Sequence, residues 1–172
     1  GGARAVRPAI GTGPSDPAPP LTTIGGALDE AVVRFGDREA LVSVEQGRRF
    51  TYRELSDSVD RLARGLLARG VEKGDRVGIW SPNCAEWVLV QYATARIGAI
   101  LVTINPAYRT HELAYVLNQA GVSLLLAAPT FKTSDYVAMA RDAAPDVDAV
   151  FLGSPEWEAL CVGGGPLPDR GL

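Results

Sequence analysis

The sequence of residues 76–109, RVGIWSPNCAEWVLVQYATARIGAILVTINPAYR, decides the fold because its apolar pattern predicts a strand, a helix and a second strand in succession. The first strand is the short apolar run 77–80. After it, Asn83 offers a side-chain oxygen to the first amides of a helix, and Glu86 at the third helical position completes a reciprocal cap. We therefore predict that a helix starts at about Cys84.

This predicted helix is apolar around most of its circumference. Few of its positions are strongly polar, so most of its surface should be buried. Gly98 is expected to end it. The near-continuous apolar run 99–104 that follows is typical of a strand covered on both faces of a parallel sheet. The crossover that joins the two strands should be right-handed.

The composition fits a single domain and excludes several classes of partner. At 172 residues the chain is long enough for one sizeable core. Its net charge of -3 comes from 17 basic and 20 acidic residues spread along the chain, which disfavours nucleic acid and an anionic membrane surface. Two cysteines are too few for a disulfide scaffold and indicate a reduced, cytoplasmic protein. No apolar run reaches the ~18 residues of a spanning helix, so no transmembrane segment is expected.

The domain organisation follows from shifts in composition. Residues 1–20 carry five prolines and four glycines and predict a flexible leader. Residues 21–160 hold all of the predicted elements and should form one α/β subdomain. Residues 161–172 have the glycine and proline content of a linker, which predicts that a downstream part is missing.

Local signals predict the elements around the central unit. Thr51 and Glu54 form a capping box that opens a long helix ending at Gly70, and Thr22 or Thr23 can cap a shorter helix before it. The other predicted elements are a small hairpin around residues 46–47, a helix capped by Thr110, a strand at 122–128, a helix starting at Ser134 and a strand at 149–152.

Strands that alternate with helices predict an open, mainly parallel sheet with helices on both faces. Ligands of such sheets sit at the carboxyl ends of the strands. In this chain those ends are residues 81–83, 105–109 and 128–130, so we expect these three loops to meet at one edge of the sheet.

Few motifs carry chemistry by themselves. No glycine-rich phosphate cradle of the dinucleotide or P-loop type follows a strand. His111 is the only histidine, which excludes a multi-histidine metal site, and we interpret it as a solvated residue of a first helical turn. The tryptophans Trp80 and Trp87 stand at core positions. We therefore predict no catalytic residue and no metal ligand in this sequence.

The loop from Asn105 to Arg109 is the best candidate for a binding site. Pro106 fixes the chain as it leaves a strand, and Tyr108 and Arg109 stand just before the amino terminus of a helix, where an anion is favoured. Pro106, Ala107, Tyr108 and Arg109 are accordingly the predicted cofactor-binding residues. A purely structural strand-exit turn is the alternative interpretation.

Four stretches of this sequence resemble a known family. They are FTYREL at 50–55, LLARGVEKGDRVG at 66–78, ARIGAILVTINPAYR at 95–109 and Glu112-Leu113. In order and spacing they are similar to the amino-terminal part of the adenylate-forming ligases. The Asn-Pro-x-Tyr motif followed by Glu-Leu most resembles the fatty acyl-CoA synthetases. The resemblance covers roughly residues 21–160.

The resemblance implies a parent enzyme that uses ATP, Mg and CoA. Such an enzyme converts a fatty acid and ATP to an acyl-adenylate and then transfers the acyl group to CoA. The family's phosphate loop, its adenine and magnesium residues and its catalytic lysine have no counterpart in these 172 residues. Residues 1–172 alone should therefore be inactive and should bind none of these molecules tightly. By the same resemblance, residues 106–108 would pack along the pantetheine and Arg109 would pair with a CoA phosphate.

Two other hypotheses stay open at this point. One is a fatty acyl-AMP ligase, which hands the acyl group to a carrier protein instead of CoA. The other is a stand-alone flavodoxin-like module for binding or dimerisation, without chemistry of its own. Self-association into a homo-oligomer is a further expectation, because truncation would leave a sheet edge or face uncovered.

Overall fold

The structure of the chain, a computed structural model, describes residues 24–43 and 46–163. Its helices are α1 (Ile24–Phe35), α2 (Tyr52–Ala68), α3 (Ala85–Ile97), α4 (Thr110–Gln119), α5 (Tyr136–Ala143) and α6 (Pro155–Val162). Its strands are β1 (Glu39–Ser43), β2 (Arg48–Thr51), β3 (Arg76–Trp80), β4 (Ile100–Ile104), β5 (Val122–Ala127), β6 (Thr130–Phe131), β7 (Ser134–Asp135) and β8 (Asp148–Phe151).

The central sheet is parallel and has the strand order β4-β3-β5-β8. Alternate residues of each strand point to opposite faces. Val77 and Ile79 of β3 therefore join a core with α1, α2, α3 and α6, whereas Trp80 joins a second core with α4 and α5. Helices cover both faces, and the predicted fold class is confirmed.

Two short antiparallel pairs accompany this sheet. Strands β1 and β2 form the predicted hairpin, which stands apart from the parallel sheet, and β6 pairs with β7. Helix α3 has no exposed residue, as its apolar composition predicted, because α1, α2, the hairpin and the sheet pack around it.

Helix α2 begins where its sequence predicted, and its C-cap is Arg69, one residue before the predicted Gly70. The Thr51 hydroxyl accepts a hydrogen bond from the Glu54 N–H at 3.1 Å, and the Glu54 carboxylate accepts one from the Thr51 N–H at 3.1 Å. Both halves of the capping box are therefore present. Gly70 follows the helix with φ of 101°, a left-handed conformation that glycine adopts without strain.

The predicted cap of α3 is wrong, because a residue distant in sequence takes the role given to Asn83. The N-cap is Cys84, which makes no side-chain capping bond. The Ala85 N–H instead donates to the Gln46 side-chain oxygen at 2.9 Å, and the Gln46 amide donates to Glu86 at 2.9 Å. The turn between β1 and β2 therefore supplies the cap.

The cap predicted for α4 is displaced by one residue, and α5, predicted to start at Ser134, starts at Tyr136. Arg109, not Thr110, is the N-cap of α4, because the Glu112 carboxylate accepts a hydrogen bond from the Arg109 N–H at 3.1 Å. Asp135, not Ser134, caps α5, since its carboxylate accepts from the third amide of that helix at 3.1 Å. Ser134 lies in β7, where strand pairing takes it out of the helix.

The expectation that the second central strand is covered on both faces is also wrong. Strand β4 lies at one edge of the sheet, and Ile100 is 46% exposed. An apolar run predicts a strand of a parallel sheet, but it does not tell an edge from a centre. Within the described part of the chain, β4 pairs only with β3.

The structure describes only part of the predicted division of the chain into leader, subdomain and linker. The leader at 1–20 and the caps Thr22 and Thr23 lie outside the described residues, as does most of the predicted linker. Cys161 and Val162 belong to α6, so helix continues two residues past the predicted linker boundary. The linker itself remains a prediction.

A salt bridge joins the end of α2 to the start of β8. The Arg69 guanidinium donates two hydrogen bonds of 2.7 Å to the Asp148 carboxylate. These bonds, more than any other influence, lower the pKa of Asp148. Because the folded-state pKa is depressed, the stability that this pair contributes is present above the unfolded-state pKa and is lost as pH falls through the folded-state value.

We therefore expect Asp148→Asn to lower the free energy of unfolding near neutral pH, by at most about 1 kcal/mol because the pair is partly exposed. The difference from the unsubstituted protein should begin to shrink near pH 4, the region of an unfolded aspartate's pKa, and should vanish only below the lower pKa of the folded state. Urea unfolding across this pH range measures it. A difference that persists undiminished in acid would show that the aspartate acts by another route.

Candidate functional site

The three loops at the carboxyl ends of β3, β4 and β5 meet, as the sequence predicted. The Ala128 N–H donates to the Trp80 carbonyl at 3.0 Å, and the Trp80 indole N–H donates to the Asn105 carbonyl at 3.1 Å. The Tyr136 N–H donates to the Pro129 carbonyl at 3.1 Å. Backbone and buried side chains therefore bind these loops into one edge.

The loop from Asn105 to Arg109 is a tight turn held by its first residue. The Asn105 side-chain oxygen accepts a hydrogen bond from the Ala107 N–H at 2.9 Å, and the Asn105 carbonyl accepts one from the Tyr108 N–H at 3.1 Å. An asparagine that bonds the backbone two residues on is typical of such turns. Proline at the next position restricts the chain further.

Two buried aromatic rings lie beneath this loop. The rings of Trp80 and Tyr136 stack with centroids 3.4 Å apart and planes 6° from parallel, and both side chains are fully buried. The Tyr136 hydroxyl donates a hydrogen bond to the Pro106 carbonyl. Burial raises the pKa of Tyr136 to about 12, so the hydroxyl keeps its proton at neutral pH and remains a donor.

The sequence predicted the core position of Trp80 but gave no role to Tyr136. Its helix was predicted from apolar spacing, and nothing local indicates that its hydroxyl meets a carbonyl 30 residues earlier. Ser134 was missed in the same way, because its partner in the fold, Arg109, lies 25 residues away.

Arg109 is exposed, and its guanidinium donates to the Ser134 hydroxyl at 3.1 Å. The Glu112 carboxylate accepts a hydrogen bond from the Arg109 backbone N–H and not from its guanidinium. No carboxylate of residues 24–43 or 46–163 forms a salt bridge with Arg109. Its positive charge is therefore free to meet an anion at the amino terminus of α4, where the helix dipole adds to the attraction.

A shallow depression of about 430 Å³ lies beside the loop. Tyr108 contributes one wall, and the first two turns of α4 contribute the others. Tyr115 is 67% exposed, and His111 is exposed as its position predicted. The depression is lined by Tyr108, His111, Glu112, Tyr115 and Val116.

The four predicted binding residues thus occupy one turn but differ in exposure. Pro106 and Tyr108 are half-buried, whereas Ala107 and Arg109 are exposed. Tyr108 faces the depression, and Arg109 stands at the helix terminus next to it. The arrangement presents an apolar wall and a cation side by side, which suits a ligand with an apolar arm and an anionic group.

The described residues offer little other chemistry. Among them no group of three or more histidine, cysteine, aspartate or glutamate side chains could hold a metal ion. Cys84 and Cys161 are half-buried free thiols, and burial raises the pKa of both. None of the described helices is long and apolar enough to cross a membrane.

Comparison with known proteins agrees with this fold. Residues 28–159 match the AMP-binding enzyme family. The chain is 42% identical over 139 residues to the mitochondrial medium-chain acyl-CoA ligase ACSF2 of Mus musculus, a match that covers 81% of this chain and 23% of that ligase. The human ACSF2 is 44% identical over 138 residues, or 80% of this chain and 22% of that protein.

A solved structure shows the same likeness. The long-chain-fatty-acid-CoA ligase FadD1 of Archaeoglobus fulgidus superimposes with a TM-score of 0.74 at 25% identity, over 84% of this chain and 31% of that one. The parallel sheet with helices on both faces places the chain among the α/β proteins. The chain belongs to the AMP-binding enzyme family, and it corresponds to the N-terminal part of acyl-CoA ligases. It spans less than a quarter of the length of the ACSF2 relatives.

Proposed function

We propose that the chain is the N-terminal part of an ATP-dependent acyl-CoA ligase that acts on fatty acids. Such an enzyme converts a carboxylate and ATP to an acyl-adenylate and pyrophosphate, and CoA thiol then displaces AMP to give the thioester. The observation that carries the proposal is the 42% identity to the ACSF2 ligase over 139 residues. The family match favours this reading over a stand-alone binding module.

Within that enzyme we assign residues 106–109 to the binding of CoA. The pantetheine is a mostly apolar chain, and it would pack against Pro106, Ala107 and Tyr108 beside the depression. The nucleotide end of CoA carries phosphates, and Arg109 supplies an exposed cation that has no carboxylate partner among residues 24–43 and 46–163. Support comes from the geometry of the loop and from the charge at the start of α4.

The remaining chemistry of the ligase would come from residues outside this chain. The Mg that accompanies ATP needs several oxygen ligands, and the described residues do not provide such a group. We therefore assign no step of adenylation to them. Their role is to build the sheet and the edge against which the CoA arm is bound.

Residues 1–172 alone should accordingly show no ATP–pyrophosphate exchange above background with any fatty acid. Adenylation requires cationic groups that offset the charge of the triphosphate in the transition state, and no glycine-rich loop with a lysine is present. Exchange is measured with radiolabelled pyrophosphate, and a full-length ligase serves as the positive control. Exchange by the short chain would refute the assignment of catalysis to residues outside it.

The proposed function is tested on the full-length protein with medium-chain and long-chain fatty acids. Formation of acyl-CoA with release of AMP would support it. Formation of acyl-adenylate that passes only to a carrier protein would instead identify a fatty acyl-AMP ligase. Absence of both products would overturn the proposal.

Compartment and assembly are proposals of the same kind. We propose a cytoplasmic location because the cysteine usage fits a reduced environment; the mitochondrial location in the relatives' name belongs to those proteins. Self-association is proposed from the edge position of β4. Fractionation of cells that express the tagged full-length protein tests the cytoplasmic location. Sedimentation of the purified protein tests self-association.

A further inference from the structure

We propose that Trp80 and Tyr136 are positioning residues that hold the CoA-binding loop in its working conformation; the inference rests on the proposed function of residues 106–109. Neither side chain reaches the surface, so neither is expected to touch CoA. Each acts through the backbone of the loop above it.

The two aromatics place their polar atoms on consecutive carbonyls. The Trp80 indole N–H donates to the Asn105 carbonyl at 3.1 Å, and the Tyr136 hydroxyl donates to the Pro106 carbonyl. Proline has no N–H, so at that residue the carbonyl is the only backbone group that can form a hydrogen bond. The loop is therefore fixed immediately before Tyr108 and Arg109, the residues that face the ligand.

The stack makes the two donors one rigid support. The rings are nearly parallel with centroids 3.4 Å apart, so a shift of one ring moves the other. They come from different elements, since Trp80 ends β3 and Tyr136 opens α5. The position of the loop is thus fixed relative to both the sheet and α5.

The start of α5 contacts the loop a second time. Ser134, two residues before Tyr136, accepts the hydrogen bond from the Arg109 guanidinium at 3.1 Å. Asp135 between them caps α5 and fixes the backbone there. Tyr136 and Ser134 consequently set the distance between Pro106 and the guanidinium, which a ligand must match if it contacts both.

The test is Tyr136→Phe in the full-length ligase. Phenylalanine keeps the ring and the stack and removes only the hydroxyl, so the fold should persist. We expect the apparent KM for CoA to rise about three- to tenfold, the range for a lost neutral hydrogen bond, while acyl-adenylate formation changes by less than about twofold. Trp80→Phe, which removes the other donor, should show the same selective loss.

Tyr92→Phe is the matched control. Tyr92 is also a buried tyrosine, but it packs in the core on the opposite face of the sheet. It should leave the KM for CoA unchanged. Thermal melts of all variants report any general loss of stability.

Three results would overturn the positioning role: a KM for CoA unaltered by Tyr136→Phe, equal losses in both half-reactions, or the same rise in the Tyr92→Phe control. Failure of the proposed function looks different, because the unsubstituted full-length protein would then make no acyl-CoA. If Arg109→Ala leaves the KM for CoA unchanged while Tyr136→Phe raises it, the proposed contact between Arg109 and a phosphate is rejected. The proposal that Tyr136 supports residues 106–108 is then retained.

Discussion

Replacing Arg109 with alanine in the full-length ligase should raise the apparent KM for CoA roughly ten- to a hundredfold, since a charge-assisted contact is worth about 1.5–3 kcal/mol. The guanidinium is exposed, has no carboxylate partner in the described part of the chain and stands at the amino terminus of α4. A CoA phosphate placed there meets both a cation and the helix dipole. In the proposed reaction acyl-adenylate formation precedes CoA binding, so this first half-reaction should stay nearly unchanged.

The two half-reactions separate a ligand contact from a structural one. Pyrophosphate release measures the first, and thioester formation at varied CoA concentration measures the second. Arg109→Lys keeps the charge and should recover part of the affinity for CoA. Arg61→Ala removes an exposed arginine from α2, on the other face of the sheet, and should change neither step.

Equal losses in both half-reactions after Arg109→Ala would mean that the Ser134 contact only stabilises the fold. An unaltered KM for CoA would remove Arg109 from the proposed site. Both outcomes differ from the selective loss expected of a phosphate contact.

Signals that act within one helical turn could be read from the sequence. The capping box of Thr51 and Glu54 involves residues three positions apart, and both of its hydrogen bonds are present. Gly98 ends α3 in a left-handed conformation, as a glycine after an apolar helix predicts. The meeting of the strand-exit loops followed from the parallel fold itself.

Features that depend on distant partners could not be predicted in this way. Gln46 caps α3 from 39 residues away, so the local candidate Asn83 was the wrong choice. The edge position of β4 depends on which strands flank it, and its own apolar residues do not carry that information. The candidate binding turn was predicted from its proline and its cation, whereas its support by Tyr136 became visible only in the fold.

At Gly65, helix propensity and side-chain packing have opposite effects on the stability expected of an alanine substitution. This glycine lies inside α2, where alanine would normally stabilise a helix by about 1 kcal/mol relative to glycine. In the fold α6 crosses at this point, and a Cβ on residue 65 would lie 2.0 Å from the Leu160 carbonyl oxygen. The close atoms are backbone, so a rotamer change cannot relieve the overlap.

Gly65→Ala should therefore destabilise the protein, because α6 must move away from α2 and the buried contacts of Trp157 and Leu160 loosen. Overpacking of this kind costs typically about 1–3 kcal/mol, which exceeds the propensity gain. After the propensity gain of about 1 kcal/mol is subtracted, the net loss is at most about 2 kcal/mol, which corresponds to a fall in Tm of up to about 4–8 °C for a chain of this size. Thermal and urea unfolding measure it, with Asp57→Ala, an exposed position on the same helix, expected to stay within about 0.5 kcal/mol. An increase in Tm for Gly65→Ala would contradict the close packing of α6 against α2 at Leu160.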